Sequence, residues 1–572
     1  MSERADTILK DARVYTGDDD QPRASVVAIR DKEIVSVGEV GDGSWQDLVG
    51  VGTNVVDLDG RTIIPGLVDS HTHPELVALS SWHISLPPID DLNTILDFLR
   101  GYAADHPVRD VPFIYAEYYP SDMDWGPDGP TAAAIDSAVS DRPVLLQDFS
   151  DHASTVNSKM LELMGVDEHT PMQVDPDDPA PRFVRGPDGV SPTGWVREEA
   201  WSRFADTMYD AIGWRPPEEV TPESLEGYTS FLSSRGVVAL LDAMTTRSTL
   251  ASAATLDAQG KLNLHLHGAR VFSSLANLDA SIADVRAWQA EFRGPHVTVD
   301  TLKLFLDGTN EFGTGAVLEP LITNEDDDDH GLLRMNEDDL TTAMQRLDAE
   351  GLDLHIHVVG DRGFRTALNA VDRARENRRD AWRIQVTLAH DELIDPSDMP
   401  RVAGLGVVLN WSPHWSGGMF GVAAAEHLGW DRFNRMYQFN PVISSGGTVT
   451  YGSDVVTQYE AKRADPFFGI QVGHTRVDPQ YPMQPGPGTV EGTQIREPMS
   501  ARLSLEDLLH GYTLNGAVQL RLADQIGSIE VGKSANLVVL DVDLFEVSAD
   551  EIQNVEPVAV LFEGRLVHGT LK

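Results

Sequence analysis

Residues 65–74 read PGLVDSHTHP, an apolar run that ends in two histidines separated by one residue. An apolar run of this length, opened by proline and glycine, is typical of a buried strand. Because alternate side chains of a strand point to the same face, His71 and His73 are expected to converge. Two convergent imidazoles suit Zn²⁺ or a similar metal, although a histidine pair also occurs in purely structural settings. The stretch therefore predicts a strand with a candidate metal site at its end.

Seven further apolar runs follow, and helical or loop sequence separates each from the next. We expect eight strands in all, at 66–73, 236–244, 263–272, 301–308, 352–360, 385–392, 406–413 and 448–455. Strands that alternate with helices favour an α/β fold, and eight of them favour a (β/α)₈ TIM barrel. Polar residues concentrate at the carboxyl ends of these runs, where barrel enzymes carry their active sites.

Both ends of the chain read as short alternating strands, for example SVVAIRDKEIVSVG near the start and AVLFEGRLVHG near the end. Two strand-rich ends that flank an α/β middle suggest one small β-sandwich built by both termini. The predicted organisation is a sandwich at 1–64 and 521–572 around a barrel at 65–520. Residues from about 80 to 235 are too many for one strand–helix connection, so they are expected to form an insertion after the first barrel strand.

The 572-residue chain is strongly acidic, with 90 Asp and Glu against 44 Lys and Arg and a formal charge of −46. Such a surface disfavours nucleic acid and anionic membranes as partners, because phosphate binding needs concentrated positive charge. Salt screens the self-repulsion, so the composition is typical of a cytoplasmic protein from a high-salt organism; an acidic protein from a GC-rich genome is the alternative. Neither a secretory signal nor a long apolar run is evident. The chain has no cysteine, so a metal would need His, carboxylate or modified Lys ligands.

Four further strand ends carry side chains that could join the histidine pair. They lie toward the carboxyl ends of the fourth, fifth, sixth and eighth predicted strands and are Lys303, His357, His390 and Asp454. Each has a structural explanation when taken alone, such as a core hydrogen bond, a snorkelling stem or a helix cap. Together with the first strand they predict one metal site at the carboxyl end of the barrel. His355 also points inward by the two-residue period and competes with His357.

The sequence resembles the amidohydrolase superfamily, and most closely its amidohydrolase family 3, which is YtcJ-like and includes N-substituted formamide deformylases. The resemblance covers nearly the whole chain. It rests on IIPGLVDSHTHP, VNSKMLELMGV, SPTGWVREEA, TLKLFLDGT, HIHVVGDR, LAHDELI, YGSDVV, LLHGYTLNGA and GSIEVGKSANLVVLD.

The resemblance implies a ligand set for two divalent metals, expected to be Zn with Mn, Fe or Co as alternatives. His71, His73 and Asp454 would bind the more buried ion. His357 and His390 would bind the second, and His357 is favoured over its neighbour because VVGDR follows it as in the family.

Lys303 would be carboxylated by CO₂ in this pattern, and its carbamate would bridge the two ions. A free ammonium repels a cation, whereas a carbamate is an anionic ligand. Glu198 would supply the bridging carboxylate if Lys303 were unmodified.

Weaker candidates for substrate binding lie in the insertion, beside a predicted ligand, or after the seventh predicted strand, where Trp411 and His414 could line an apolar pocket. Local hydrogen bonding or ordinary packing is the alternative for each of them. They are His152, Glu198, Asp307, Arg362, Trp411 and His414.

The expected function is hydrolysis of an amide-type C–N bond in a small molecule, such as an N-acyl or N-formyl amine, by a metal-bridged hydroxide. Asp454 would accept the water's proton and pass it to the leaving nitrogen. The alternatives are a mononuclear zinc deaminase of heterocycles, which does not need Lys303, and a non-catalytic barrel scaffold. A homodimer is the simplest expected assembly, because two-fold homodimers are the commonest oligomers.

Overall fold

The chain begins with strands rather than helices. A computed structural model describes residues 4–571 apart from 88–90, 121–122, 128, 150–151, 175–180, 293, 323–327, 377, 379–380 and 419–420. Its first five strands are β1 (Thr7–Tyr15), β2 (Arg23–Arg30), β3 (Glu33–Gly38), β4 (Asn54–Asp57) and β5 (Thr62–Pro65). The first barrel strand and its helix follow directly as β6 (Leu67–Thr72) and α1 (Pro74–Leu79).

The predicted insertion contains its own sheet. Its strands are β7 (Ile84–Ser85), β8 (Ile114–Tyr119), β9 (Val144–Asp148), β10 (Ala153–Val156), β11 (Arg182–Arg185) and β12 (Pro192–Arg197). They pair in the order β11-β12-β10-β9-β8-β7. The helices of this part are α2 (Leu92–Asp105), α3 (Ala132–Asp136), α4 (Ser158–Met164) and α5 (Ala205–Ile212).

Seven more parallel strands complete the barrel: β13 (Val237–Asp242), β14 (His265–Val271), β15 (Val297–Phe305), β16 (Asp353–Val358), β17 (Val386–His390), β18 (Val408–Trp411) and β19 (Thr448–Tyr451). The helices between and after them are α6 (Pro222–Ser234), α7 (Arg247–Ala258), α8 (Leu275–Glu291), α9 (Glu337–Glu350), α10 (Asp361–Arg375), α11 (Arg401–Leu405), α12 (Ala424–Leu428), α13 (Trp430–Phe433), α14 (Asn440–Ser444) and α15 (Pro466–Thr475).

The chain ends with two short helices and three strands that return to the first sheet. They are α16 (Leu505–His510), α17 (Gly516–Gln519), β20 (Leu537–Leu540), β21 (Pro557–Phe562) and β22 (Arg565–Gly569). The strand order is β22-β21-β20-β5-β1-β2-β3, and β4 also pairs with β1. Both termini therefore build one hydrogen-bonded sheet, and side chains from both ends share one apolar cluster that includes Leu9, Val27 and Leu537.

The barrel confirms the predicted fold class and the number of its strands. Its eight strands pair in the order β19-β18-β17-β16-β15-β14-β13-β6, each parallel to its neighbour. Helices cover the outer face of such strands, so these sequences are continuously apolar, and all six residues of β13 are buried. Within the described part of the chain, the helices are all too short or too polar to cross a bilayer.

The barrel comes close to closing where its first and last strands meet. The backbone N–H of Asp454 donates to the carbonyl oxygen of His71 at 2.8 Å. Gly452 makes this approach sterically allowed, because a Cβ at that position would lie 2.5 Å from the Cβ of His71. The end of the eighth strand is thereby held against the histidine-bearing end of the first.

Candidate active site at the mouth of the barrel

A cavity of about 410 Å³ opens at the carboxyl ends of the barrel strands. Barrel loops and the insertion both contribute to its wall. Its lining includes all six side chains that the sequence predicts as metal ligands, namely His71, His73, Lys303, His357, His390 and Asp454. The structure therefore brings together residues that are spread over almost 400 positions of the sequence.

Asp454 lies at the centre of this group. Its Oδ1 is 3.3 Å from Nε2 of His71 and 3.0 Å from Nε2 of His73. Its Oδ2 is 3.5 Å from Nδ1 of His390. One ligand atom from each of His71, His73 and Asp454 lies within 4.8 Å of the other two, which is close enough for a single ion to be shared.

His357, rather than its neighbour on β16, faces the cavity. The His357 and His390 rings lie 4.4 Å apart, and Nε2 of His357 donates to the carbonyl oxygen of Gly308 at 2.8 Å. That bond leaves Nδ1 of His357 free to act as a ligand. His355 instead lies behind His71, where its Nε2 is 3.0 Å from Nδ1 of His71. It thus supports a predicted ligand and does not replace one.

Lys303 is buried beside the histidines, with 1% of the residue exposed. Its Nζ lies 3.5 Å from Nε2 of His71. Burial lowers the pKa of Lys303 to about 8, against the opposing influence of Asp454. Burial and the nearby Lys303 charge also hold the pKa of His71 well below its usual value. Neutral imidazoles are the form that binds metal.

The donor set fits a borderline divalent metal. It combines four imidazoles, one carboxylate and one lysine, in a chain without cysteine. His390 and Asp454 also adopt left-handed backbone conformations, with φ of 80° and 52°. Such conformations are unfavourable for residues with a side chain and concentrate at functional sites.

Two buried carboxylates hold the predicted ligands in place, and sequence reasoning missed both. Oε1 of Glu75 lies 3.2 Å from Nδ1 of His73, so the Nε2 atom of His73 is directed toward Asp454. Asp69 accepts hydrogen bonds from the backbone N–H and the hydroxyl of Ser453, at 2.9 and 2.6 Å. The only sequence signal for Glu75 is its position in HTHPE, directly after the histidine pair.

The insertion contributes a second polar pair to the cavity, formed by His152 and Glu198. Nδ1 of His152 lies 3.1 Å from Oε2 of Glu198, and the His152 ring is 6.5 Å from the His357 ring. Burial alone would lower the pKa of His152, but the Glu198 carboxylate outweighs it and raises the pKa to about 9. The pair is therefore an ion pair at neutral pH.

Two of the predicted substrate-binding residues have a structural position instead. Asp307 is buried, and its carboxylate accepts hydrogen bonds from the backbone N–H groups of Ala316, Val359 and Gly360 at 2.9–3.3 Å. It thereby fixes the loop that follows His357. Nη2 of Arg362 donates to the carbonyl oxygens of His330 and Gly331, at 3.1 and 3.0 Å. Neither side chain lines the cavity, which corrects the prediction for both.

The tryptophan that lines the cavity is Trp415, four residues after the predicted Trp411. Trp411 is buried in the core, where it stacks on Phe439 with ring centroids 4.4 Å apart. Trp415 lines the cavity in its place and stacks on His390 at 5.4 Å. His414 lines the cavity as expected.

Comparison with known proteins supports the family resemblance that the sequence motifs indicate. The amidohydrolase family model matches residues 54–568. The chain is 24% identical to the N-substituted formamide deformylase of Arthrobacter pascens, with 99% of each chain covered. It is 24% identical to the putative amidohydrolase YtcJ of Bacillus subtilis, over 97% of this chain and 98% of the relative. It is also 26% identical to the exoenzymes regulatory protein AepA of Pectobacterium carotovorum, over 78% and 93%.

Solved structures share the fold at low identity. An uncharacterized metal-dependent hydrolase from Pyrococcus horikoshii superposes with a TM-score of 0.67 at 20% identity, over 95% of this chain and 99% of that one. Atrazine chlorohydrolase TrzN from Arthrobacter aurescens, complexed with zinc, gives a TM-score of 0.52 at 15% identity, over 99% and 96%. The family match spans most of the sequence and includes every predicted ligand, so this chain belongs to the amidohydrolase family.

Proposed function

We propose that this chain is a metal-dependent hydrolase that cleaves a C–N bond in a small-molecule amide, such as an N-acyl or N-formyl amine. The observation that carries the proposal is the position of Asp454, whose carboxylate lies within 3.5 Å of three imidazoles on the wall of one cavity. Likeness over 99% of the chain to a protein named for its action on N-substituted formamides supports the amide class. A cavity of about 410 Å³ suits a small molecule.

Five residues would hold divalent ions in this proposal. His71, His73 and Asp454 form one group, and His357 and His390 form the other. Such ions supply Lewis acidity, because they acidify water and polarise a carbonyl oxygen.

Lys303 would join the two groups in this proposal. A lysine reacts with CO₂ only as the neutral amine, and burial lowers its pKa to about 8, so a useful neutral fraction exists near neutral pH. The resulting carbamate would add negative charge among the imidazoles, and it would remove the ammonium that otherwise opposes a cation there.

The chain's own side chains carry the proton transfers and orient the substrate. Asp454 Oδ2 accepts the proton of the attacking water and returns it to the departing nitrogen. Trp415 and Phe149 supply apolar walls that exclude other water. His152 and Glu198, an ion pair on the insertion, present an N–H donor and a carboxylate to the bound molecule.

A mononuclear zinc deaminase is the second candidate. The group of three ligands that lie within 4.8 Å of one another, His71, His73 and Asp454, is by itself enough to hold one ion. Metal analysis separates the two candidates, because one ion per chain favours the deaminase and two ions favour the amide hydrolase.

The proposal is tested by a substrate screen. The purified chain is loaded with Zn, Mn or Co and assayed against N-formyl amines, N-acyl amines, cyclic amides and aminated heterocycles, with amine and ammonia release measured separately. We expect amine release from at least one amide, and none from the same preparation of His71→Ala. Ammonia release from a heterocycle without amide cleavage would contradict the proposal and favour the deaminase.

A further inference from the structure

Part of the cavity wall is acidic and takes no part in the chemistry proposed above. Glu311 lies in the loop after β15, and Glu392 lies just beyond β17. Both line the cavity, although only 9% of Glu311 and 4% of Glu392 is exposed. Carboxylates buried to this degree normally have a partner, because loss of hydration is costly for a charged group.

Glu392 has its partners within the protein. Nδ2 of Asn310 donates to Oε2 of Glu392 at 2.7 Å, and the Tyr437 hydroxyl also hydrogen-bonds to Glu392. The Tyr437 ring lines the cavity beside them. Tyr437 adopts a left-handed conformation with φ of 58°, which is unfavourable for an aromatic residue and which its backbone bond to the carbonyl oxygen of Glu392 helps to hold.

Glu311 differs, because in the described part of the chain its carboxylate forms no hydrogen bond or ion pair with another side chain and accepts only from its own backbone N–H. Two cations act on Glu311 from a distance, first His152 and then Arg496, and Arg496 also acts on Glu392. Its guanidinium instead donates to the backbone carbonyl oxygens of Trp415 and Phe433, and it packs over the Tyr437 ring. Glu311 is thus a buried carboxylate at the cavity that lacks a hydrogen-bonded or ion-paired side chain among the described residues.

The residue beside the Glu311 carboxylate is a glycine, which leaves space next to Oε1. Gly421 also lines the cavity, and a Cβ at that position would lie 3.0 Å from Oε1 of Glu311. A metal ion is a poor occupant, because the one group of three or more metal ligands among the described residues is His71, His73 and Asp454. A cation that brings its own N–H donors and contacts an aromatic face suits two carboxylates and a tyrosine ring better.

We propose that Glu311, with Glu392 and Tyr437 beside it, binds a positively charged nitrogen of the substrate, such as an ammonium or amidinium group. The substrate would then be an amide that carries a basic group on its amine or acyl part. This inference rests on the proposed amide hydrolysis only for the reacting end of the molecule; binding of the cation is independent of turnover.

The test compares two amides of nearly equal size, N-(4-aminobutyl)acetamide, which is a cation, and N-pentylacetamide, which is neutral. Binding is measured by calorimetry on the Asp454→Asn chain, where turnover is expected to be slow enough for a binding measurement, in 0.5 M KCl to screen the acidic surface. We expect the cation to bind at least ten-fold more tightly than the neutral amide. Glu311→Gln in the same background should bring the two affinities within about three-fold, through loss of cation binding alone.

Two further variants serve as a matched control and as a second perturbation of the cation site. Glu426→Gln removes an exposed carboxylate from the neighbouring helix α12, and it should leave the ten-fold preference intact. Gly421→Ala would crowd Oε1 of Glu311 and also strain a backbone with φ of 75°, so its thermal midpoint is measured beside its cation binding, which should weaken. Equal binding of the two amides, or a preference that survives both Glu311→Gln and Gly421→Ala, would overturn the inference.

Kinetics on the unsubstituted chain separate this inference from the proposed function. Preferred hydrolysis of the cationic amide supports both. Selective binding of the cation, with no hydrolysis of any amide in the screen, would support the cation site and contradict the proposed function.

Discussion

Oδ1 of Asp454 lies 3.0 Å from Nε2 of His73, although the two residues follow the last and the first strand of the barrel. The contact exists only when the ends of β6 and β19 meet, because His73 directly follows β6 and Asp454 lies three residues after β19. Closure of the barrel and assembly of the candidate metal site are therefore one structural event. Its consequences can be measured at several residues.

Substitution of Asp454 by Asn keeps the size of the side chain and removes its charge and its capacity to accept a proton. We expect kcat/KM for the amide to fall by about 10³-fold, in the range that loss of a positioned general base produces. Far-UV circular dichroism should be unchanged, because the backbone N–H of residue 454 still bonds to His71. Turnover within ten-fold of the unsubstituted chain would contradict the role given to this carboxylate.

Substitution of Glu75 by Gln should weaken metal binding without removing a predicted ligand. Glu75 is buried and orients His73 through a 3.2 Å contact to its Nδ1. Loss of such an orienting carboxylate typically lowers metal affinity about 10–100-fold. Zinc affinity, measured in competition with a chromophoric chelator, checks this. Glu426→Gln serves as the control, and an unchanged affinity in Glu75→Gln would show that the contact does not orient the ligand.

The sequence predicted the eight barrel strands and the group of side chains at their ends because both follow simple periodicities. It was less successful for residues whose position depends on packing between elements. Trp411 follows Asn410, whose amide donates to the Ser70 hydroxyl inside the barrel, so strand alternation directs Trp411 outward onto Phe439. That alternation was visible in the sequence.

The orienting and substrate-facing residues could not be found in this way. Glu311 and Glu392 follow two different strands, and only the folded loops bring both to one wall of the cavity. Asp307 stands beside a predicted ligand, yet its side chain turns toward backbone N–H groups of the next loop. A single sequence does not show which of several adjacent polar side chains faces inward once a strand has ended.

Lys303 should acquire a carbamate in the presence of metal and bicarbonate. Because burial lowers the pKa of Lys303 to about 8, the reactive neutral amine increases as the pH rises toward 8 and beyond. We expect incorporation of one ¹³C label from bicarbonate per chain by NMR, and faster metal reconstitution at pH 8.5 than at pH 6.5. Lys303→Met should lose the label and one bound ion. Full metal content and activity in Lys303→Met would exclude the bridging role.

The ion pair of His152 and Glu198 should make stability depend on pH. The pKa of His152 is raised to about 9 from an ordinary value near 6.5. The pair is therefore fully stabilising below about pH 6.5, and its contribution of about 3 kcal/mol is lost as the pH rises through about 9. Thermal midpoints of the unsubstituted chain and of His152→Asn should converge between pH 6.5 and pH 9.5. A constant difference over that range would show that His152 is not charged in the folded state.

The most direct test of the whole account is titration of metal into chelator-stripped protein while amide hydrolysis is followed. We expect that stripped protein is inactive, that turnover rises with added Zn²⁺ and levels off at two equivalents per chain, and that His71→Ala remains inactive throughout. Undiminished amide hydrolysis by stripped protein, with no bound transition metal detected, would contradict it.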